Sequence, residues 1–211
     1  MRSTRALTTL VVAGALVACS PSPGPAASGS SEAEGPSAMS PALPGVSTDP
    51  PPWPAEHAHL AALLKAIGLP PPGAEVVTVH FHVNLVVVVR AERVRVPAGI
   101  GFDDDERLAE IHTHDATGTI HLEARRDRGF TLGMVFAVWG VRFTRDCLGA
   151  ECASGDDRLR VFVNGEGPVP GDPTTLRLED EQVVVVTLGT EDQVPGVLPA
   201  RFVFGGEPKP A

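Results

Sequence analysis

The fold prediction starts from one stretch, Ile111-His112-Thr113-His114-Asp115-Ala116-Thr117-Gly118-Thr119-Ile120-His121-Leu122-Glu123. It predicts two short strands around a turn at residues 115–118, because Asp and Thr bond to their own backbone in turns and Gly takes positive φ without a Cβ clash. Three cross-strand pairs follow: His112 with His121, His114 with Thr119, and Glu110 with Glu123. Side chains alternate along a strand, so these six residues share one face. The residues between them lie on the other face: Ile111, Thr113, Ile120 and Leu122.

The longest predicted strand, residues 75–90, precedes this hairpin. One face of it carries Val77, Val79, Phe81, Val83, Leu85 and Val87, and the other carries Thr78, His80, His82 and Asn84. The unbroken valine run at its end is typical of a strand that is buried on both sides. Residues 91–93 turn the chain into a short return strand that Pro97 ends.

Two helices and several further strands complete the predicted domain. A helix is expected at residues 54–69, and a second one runs from a Thr131 cap to Gly140. Strands are predicted at residues 141–144, 159–163, 175–178, 182–188 and 201–204. This order predicts a strand-rich α+β fold of antiparallel hairpins with a helix, and its second half is β-grasp-like by analogy, which carries no function.

The N-terminus is typical of an exported chain. Arg2 and Arg5 precede a short apolar run, which matches a signal peptide at residues 1–18. The run ends in Leu16-Val17-Ala18-Cys19, which resembles a bacterial lipobox. The resemblance implies cleavage before Cys19, a lipid on its sulfur, and a location on the outer side of a membrane in the cell envelope. The alternatives are an ordinary secretory signal or a Cys19 that belongs to the core.

Composition divides the rest of the chain into a tether and one domain. Residues 19–52 are rich in Pro, Ser, Gly and Ala and predict a disordered tether behind the lipid anchor. Residues 53–206 predict one globular domain, and 207–211 predict a flexible tail. The net charge of −9 disfavours nucleic acid as a partner, because phosphate backbones repel an acidic surface.

Two cysteines remain once Cys19 carries the lipid. Cys147 and Cys152 flank four residues, and a disulfide between them suits an oxidising compartment. The competing interpretation, a thiolate metal site, lacks matching partners nearby in the sequence. The acidic run at residues 103–106 predicts a solvated loop, since it lacks the spacing of an EF-hand.

Several blocks together resemble a group of exported, membrane-anchored bacterial proteins. They are His80-Phe81-His82, the segment 96–101, the hairpin 111–123, Phe130-Thr131-Leu132-Gly133, Phe136, Trp139-Gly140, the pair Cys147 and Cys152, and Val163-Asn164-Gly165. The resemblance covers most of residues 76–188. It implies export and a shared histidine set, and it implies no reaction.

The histidine face predicts a transition-metal site with His112, His114 and His121 as its main ligands. His80, His82, Glu110 or Glu123 would complete it. Neutral imidazole is a good ligand for Zn(II) and Cu(II), and ligands two residues apart on a strand point the same way. No motif indicates an organic cofactor. Metal binding, sensing or delivery is favoured over a metal-dependent hydrolase with Glu123 as its base.

Two other interpretations stay open. The polar face of the hairpin is simply solvated in one of them, with His112 and His121 as an ordinary cross-strand pair. In the other, the histidines shape a non-catalytic surface for another envelope protein, and protonation near pH 6 switches that surface. A stoichiometric metal ion that survives desalting distinguishes the metal site from both.

Overall fold

The computed structural model describes residues 43–73 and 77–205. They belong to one compact unit, Glu34–Ala211, and the other unit, Met1–Ala33, lies outside the described residues. The predicted signal peptide, Cys19, most of the predicted tether and the predicted tail at 207–211 also lie outside them. Within the described ranges, no helix has the length and apolar character needed to cross a membrane.

The fold is a strand-rich α+β arrangement, as predicted. Its helices are α1 (Leu60–Ala66) and α2 (Leu132–Trp139). Its strands are β1 (Val79–Val89), β2 (Glu92–Val94), β3 (Ile111–His112), β4 (Thr119–Ala124), β5 (Cys147–Leu148), β6 (Glu151–Cys152), β7 (Arg158–Val163) and β8 (Gln182–Gly189). Short 3-10 turns occur at Pro173–Thr175 and Glu191–Gln193.

The main sheet has the order β3-β4-β1-β8-β7, and β2 also pairs with β1. β1 runs antiparallel to β4 and parallel to β8. The β-grasp analogy covered the chain from the histidine hairpin onward. The strand β1, which precedes that hairpin, lies inside the sheet: residues 79–84 pair with β4, and residues 83–89 pair with β8 on the other edge. β2 pairs with residues 87–89, so the valine-rich half of β1 has a partner on each edge.

The two faces of the sheet are covered differently. Val83, Leu85 and Val87 of β1 join the large core that both helices share. Val86 and Val88 point to the opposite face, where a smaller cluster forms. That cluster is covered by the C-terminal segment, residues 194–205, through three partly buried side chains: Val194, Leu198 and Phe202.

The second helix follows its sequence signals. The Thr131 side chain accepts a hydrogen bond from the backbone N–H of Met134, and Gly140 ends the helix with a φ of 75°. The first helix is shorter than the predicted 54–69. The Glu56 carboxylate accepts a hydrogen bond from the His59 backbone N–H at 2.8 Å just before the helix begins, and Trp53 is held by contacts of its own. The indole N–H of Trp53 donates to the Asp49 carbonyl at 2.8 Å, and its ring packs edge-on against Trp139. The helix itself begins only at Leu60.

Residues 43–52, which composition assigns to the tether, pack against the domain in the structure. Leu43 and Val46 contact the core, and the Ser47 backbone exchanges hydrogen bonds with Gly140 and Arg142 at 2.7 and 3.0 Å. The ordered domain therefore begins at least ten residues before the predicted boundary at 53. Composition missed this because two apolar side chains and a few backbone bonds suffice to hold such a segment.

Three predicted short strands take other forms. Residues 141–144 make only isolated bridges, Val141 with Ser47 and Phe143 with Leu148. Residues 175–178 follow the 3-10 turn and contribute one bridge from Arg177 to Thr131. Residues 201–204 are not a strand, because Phe202 is held by side-chain packing on the sheet face rather than by an edge.

Cys147 and Cys152 lie opposite each other in the small β5–β6 hairpin. Their sulfurs are at bonding distance and their Cα atoms are 4.1 Å apart, as the predicted disulfide requires.

Candidate metal centre

The histidines converge because three neighbouring strands align their polar faces. β1 sets His82 opposite His121 of β4, and β3 sets His112 on the other side of His121. The adjacent row on the same face holds His80 opposite Glu123. The register of the predicted hairpin is confirmed. We call the five rings the histidine cluster: His80, His82, His112, His114 and His121.

The turn of the hairpin forms as its residues predict. The Asp115 carboxylate accepts hydrogen bonds from the Thr117 backbone N–H and hydroxyl at 2.8 and 2.6 Å, and Gly118 has a φ of 88°. The strand pairing stops after His112, because Thr113 bonds instead to the loop at 97–101. Its hydroxyl donates to the Pro97 carbonyl at 2.8 Å.

This loop lies against β3 and places an aromatic ring beside two of the histidines. A Cβ added at Gly101, where φ is 77°, would meet the Ile111 carbonyl oxygen at 2.0 Å, so only glycine allows so close an approach. The next residue, Phe102, places its ring 6.2 Å from His112 and 5.9 Å from His114. The loop thus shields one side of the histidine cluster from water.

The cluster divides into two groups of three that can each hold a metal ion. The outer group is His112, His114 and His121, and the inner group is His80, His82 and His121. In each group the ligand atoms lie within 4.8 Å of one another. Tetrahedral zinc, with Zn–N bonds of about 2.0–2.1 Å, holds nitrogens about 3.4 Å apart. Small side-chain rotations would therefore bring either group into range.

Glu123 lies where both groups meet. Its Oε1 is 3.2 Å from Nε2 of His80, 3.6 Å from Nδ1 of His121 and 3.8 Å from Nε2 of His112. A hydrogen bond from His121, helped by the other imidazoles, lowers the pKa of Glu123 to about 2 against the effect of burial. The carboxylate is therefore ionised at neutral pH and adds an anionic oxygen to the cluster.

His112 is prepared as a ligand by its backbone contact. It is 1% exposed, and its Nδ1 lies 2.9 Å from the Ala109 carbonyl, which can only accept a hydrogen bond. The proton therefore belongs on Nδ1, and Nε2 presents its lone pair. Burial lowers the pKa of His112 to about 4, so this ring is neutral at pH 7. Its Nε2 is buried and has no hydrogen-bond partner within the described parts of the chain.

Glu110 reaches the same polar face but has another partner. The hairpin pairing holds, since the Glu123 backbone N–H donates to the Glu110 carbonyl at 2.8 Å. The Glu110 carboxylate, however, forms a bidentate ion pair with Arg128, whose Nη2 donates to Oε1 at 2.8 Å. This side chain is 2% exposed and is occupied as a structural counter-ion rather than as a candidate ligand.

The sequence pattern predicted the histidines of the cluster but not the residues that pack around them. Phe204 of the C-terminal segment stacks on His82, with ring centroids 6.0 Å apart. Asp180, in the turn before β8, accepts a hydrogen bond from the His82 backbone at 3.2 Å. Neither residue has a local motif near the histidines that would reveal its place. His57 and His59, which precede α1, are exposed and lie outside the cluster.

Comparison with protein-family models, with curated proteins and with solved structures found no match for this chain.

Proposed function

We propose that this chain binds one divalent transition-metal ion, Zn(II) or Cu(II), in the histidine cluster. The observation that carries the proposal is the buried Nε2 of His112, whose lone pair faces other imidazoles and Glu123 with no hydrogen bond of its own. Leaving a buried polar atom unpaired costs free energy, and a metal ion would compensate for it. Neutral imidazoles with a carboxylate are a donor set that suits zinc and copper.

Binding or delivery of the ion fits the cluster better than hydrolysis does. A general base acts best with a pKa near the working pH, and the low pKa of Glu123 makes it a poor proton acceptor at neutral pH. A switch near pH 6 is likewise disfavoured at His112, because its pKa lies well below that range.

We also propose that the protein is a lipoprotein held at the outer side of a membrane through Cys19, as the lipobox resemblance implies. The tether behind Cys19 would place the metal site in the cell envelope. Intact mass spectrometry of protein from a bacterial membrane fraction tests this: the mature chain should begin at Cys19 and carry acyl mass. A Cys19→Ala variant should lack that mass, and an unmodified wild-type chain would refute the anchor.

The metal proposal is tested on protein beginning at residue 34, purified, stripped with a chelator, reloaded with Zn(II) or Cu(II), and desalted. Mass spectrometry of the metal content should find about one equivalent for the wild type. A His112→Gln/His114→Gln/His121→Gln variant should retain much less, because the outer group is removed. Exposed His59 lies outside the cluster, so His59→Ala is the matched control and should behave as the wild type.

A second measurement guards against a variant that fails to fold, since His112 is buried. Wild-type protein loaded with Co(II) should show the visible absorption of a nitrogen-ligated, low-coordinate site. Wild-type protein that takes up none of the three metals refutes the proposal whatever the variants do.

A further inference from the structure

The two histidine groups are not independent sites, because they share ligands. His121 belongs to both groups. Glu123 also serves both, with its Oε1 3.2 Å from His80 of the inner group and 3.8 Å from His112 of the outer one. A neutral imidazole has one lone-pair nitrogen, since the other nitrogen carries its proton. With neutral rings, His121 therefore coordinates one ion at a time.

Electrostatics also opposes two ions in this space. Two divalent cations a few ångströms apart repel strongly in a partly buried site. The Glu123 carboxylate lies within 4 Å of ring nitrogens in both groups, and Glu110 is committed to Arg128. A single carboxylate shared by both groups offsets the charge of one ion only in part, so a second ion beside the first is disfavoured.

The two groups differ in their access to solvent. His114 of the outer group is exposed, so an ion can reach this group from water. Both rings that are unique to the inner group are more enclosed than His114: His80 is about 10% exposed at its side chain, and His82 is 5% exposed. His112 is buried as well, so the outer group differs through its one exposed ring. Phe204 stacks on His82 and separates it further from solvent.

The inner group contains one pair of ring nitrogens that already lie close together. Nε2 of His80 and Nε2 of His82 are 3.0 Å apart, close to the spacing that one metal ion imposes on adjacent nitrogen ligands. The strand register fixes the positions of this pair, since His80 lies opposite Glu123 and His82 lies opposite His121 on β4.

We propose that the two groups are alternative positions for one divalent ion, an outer position at His112, His114 and His121 for uptake and an inner position at His80, His82 and His121 for retention. This inference rests on the proposed metal binding. His121 and Glu123 stay within reach of the ion in both positions, so the ion moves between them without returning to water. Such an arrangement suits a protein that accepts an ion and holds it for transfer.

Stopped-flow kinetics on the zinc-loaded and zinc-free protein test the two positions separately. Removal of zinc by excess colorimetric chelator measures loss, and addition of zinc to the stripped protein measures uptake. A His80→Gln/His82→Gln variant should lose zinc about tenfold faster or more, which corresponds to about 1.4 kcal/mol of lost retention. A His114→Gln variant should take up zinc more slowly, with a smaller change in its loss rate. His59→Ala is the control for both rates.

The outcomes separate the failure of this inference from that of the proposed function. Two equivalents of zinc in the wild type, or an unchanged loss rate in the His80/His82 variant, would overturn the two positions while metal binding stands. A wild type that binds no zinc would overturn both.

Ring-nitrogen NMR of zinc-loaded wild-type protein gives a test without substitutions. The ligand nitrogens of His80, His82 and His121 should show the shift of coordination, because the inner position retains the ion. Full shifts confined to His112, His114 and His121 would contradict the proposal.

Discussion

His112 is the histidine of the cluster whose surroundings are most fully specified by the fold. Its ring is buried beneath Phe102, its Nδ1 is held by the Ala109 carbonyl, and its Nε2 faces the cluster. The sequence predicted its face and its cross-strand partner, because alternation along a strand is a local property. The hydrogen bond that selects its tautomer comes from the chain three residues earlier, which no periodicity predicts.

The depressed pKa of His112 predicts that the metal-free protein loses stability in mild acid. Between the ordinary histidine value near 6.5 and the folded value of about 4, the unfolded chain binds a proton that the folded chain does not. The free energy of unfolding should therefore fall as pH drops from 6.5 towards 4, by about 3 kcal/mol in total. Glu123 should add a further loss of stability at still lower pH, because its pKa in the folded protein is also lowered.

Urea unfolding of the chelator-treated protein at several pH values from 7.5 to about 4 measures this dependence. The His112→Gln variant lacks the titrating ring and should show a shallower fall. Equal slopes for the variant and the wild type would contradict the assignment to His112.

At the scale of elements, β1 is the strand on which the site depends. Its C-terminal half packs valines into both faces of the sheet, and its N-terminal half presents His80 and His82 beside β4. The valine run predicted the burial of the strand. Its choice of neighbours was not predictable, because antiparallel pairing with β4 and parallel pairing with β8 depend on residues up to a hundred positions away.

The β5–β6 hairpin lies apart from the histidine cluster, and we expect its disulfide to stabilise the domain. Leu148 is fully buried. Among the strands of the described residues, β5 and β6 form a separate two-stranded sheet. Replacing both cysteines, Cys147→Ser/Cys152→Ser, should lower the free energy of unfolding by about 2 kcal/mol, the loop-closure value for so short a loop.

Thermal or urea unfolding measures that loss, and the zinc content of the same samples should stay near one equivalent. Reduced wild-type protein is the matched comparison and should unfold like the variant. A large loss of zinc in the variant would show that the hairpin supports the cluster after all.

At the scale of the whole molecule, the segment at 43–52 belongs to the folded domain rather than to the tether. The Ala150 backbone N–H donates to the Asp49 carbonyl at 2.9 Å, and the same carbonyl accepts the Trp53 indole N–H. With the contacts of Leu43 and Val46, these bonds close the domain around the end of α2.

Protein beginning at residue 53 should therefore be less stable than protein beginning at residue 34, by about 3–5 kcal/mol from the lost apolar contacts and backbone bonds. Differential scanning calorimetry of the two chains measures the difference. Equal transition temperatures for the two chains would show that residues 43–52 do not stabilise the domain and belong to the tether. The zinc stoichiometry of the shorter chain should be unchanged if it folds, because the segment makes none of the contacts that form the histidine cluster.

The sequence by itself determined the features that arise within a few residues of each other. These include the Asp115–Gly118 turn, the register of the histidine hairpin, the Thr131 cap and Gly140 end of α2, and the strand-rich class. Local hydrogen bonds and side-chain periodicity specify such features, so they can be predicted without the rest of the fold.

Only the tertiary structure decided what surrounds those features. It placed β1 beside β4, removed Glu110 from the ligand set by pairing it with Arg128, and brought Phe204 onto His82. These contacts join residues far apart in the chain, and they depend on how the buried strands pair and how the C-terminal segment packs on the sheet, which no local pattern specifies. The two histidine groups, and the single ion proposed to occupy them, follow from that packing.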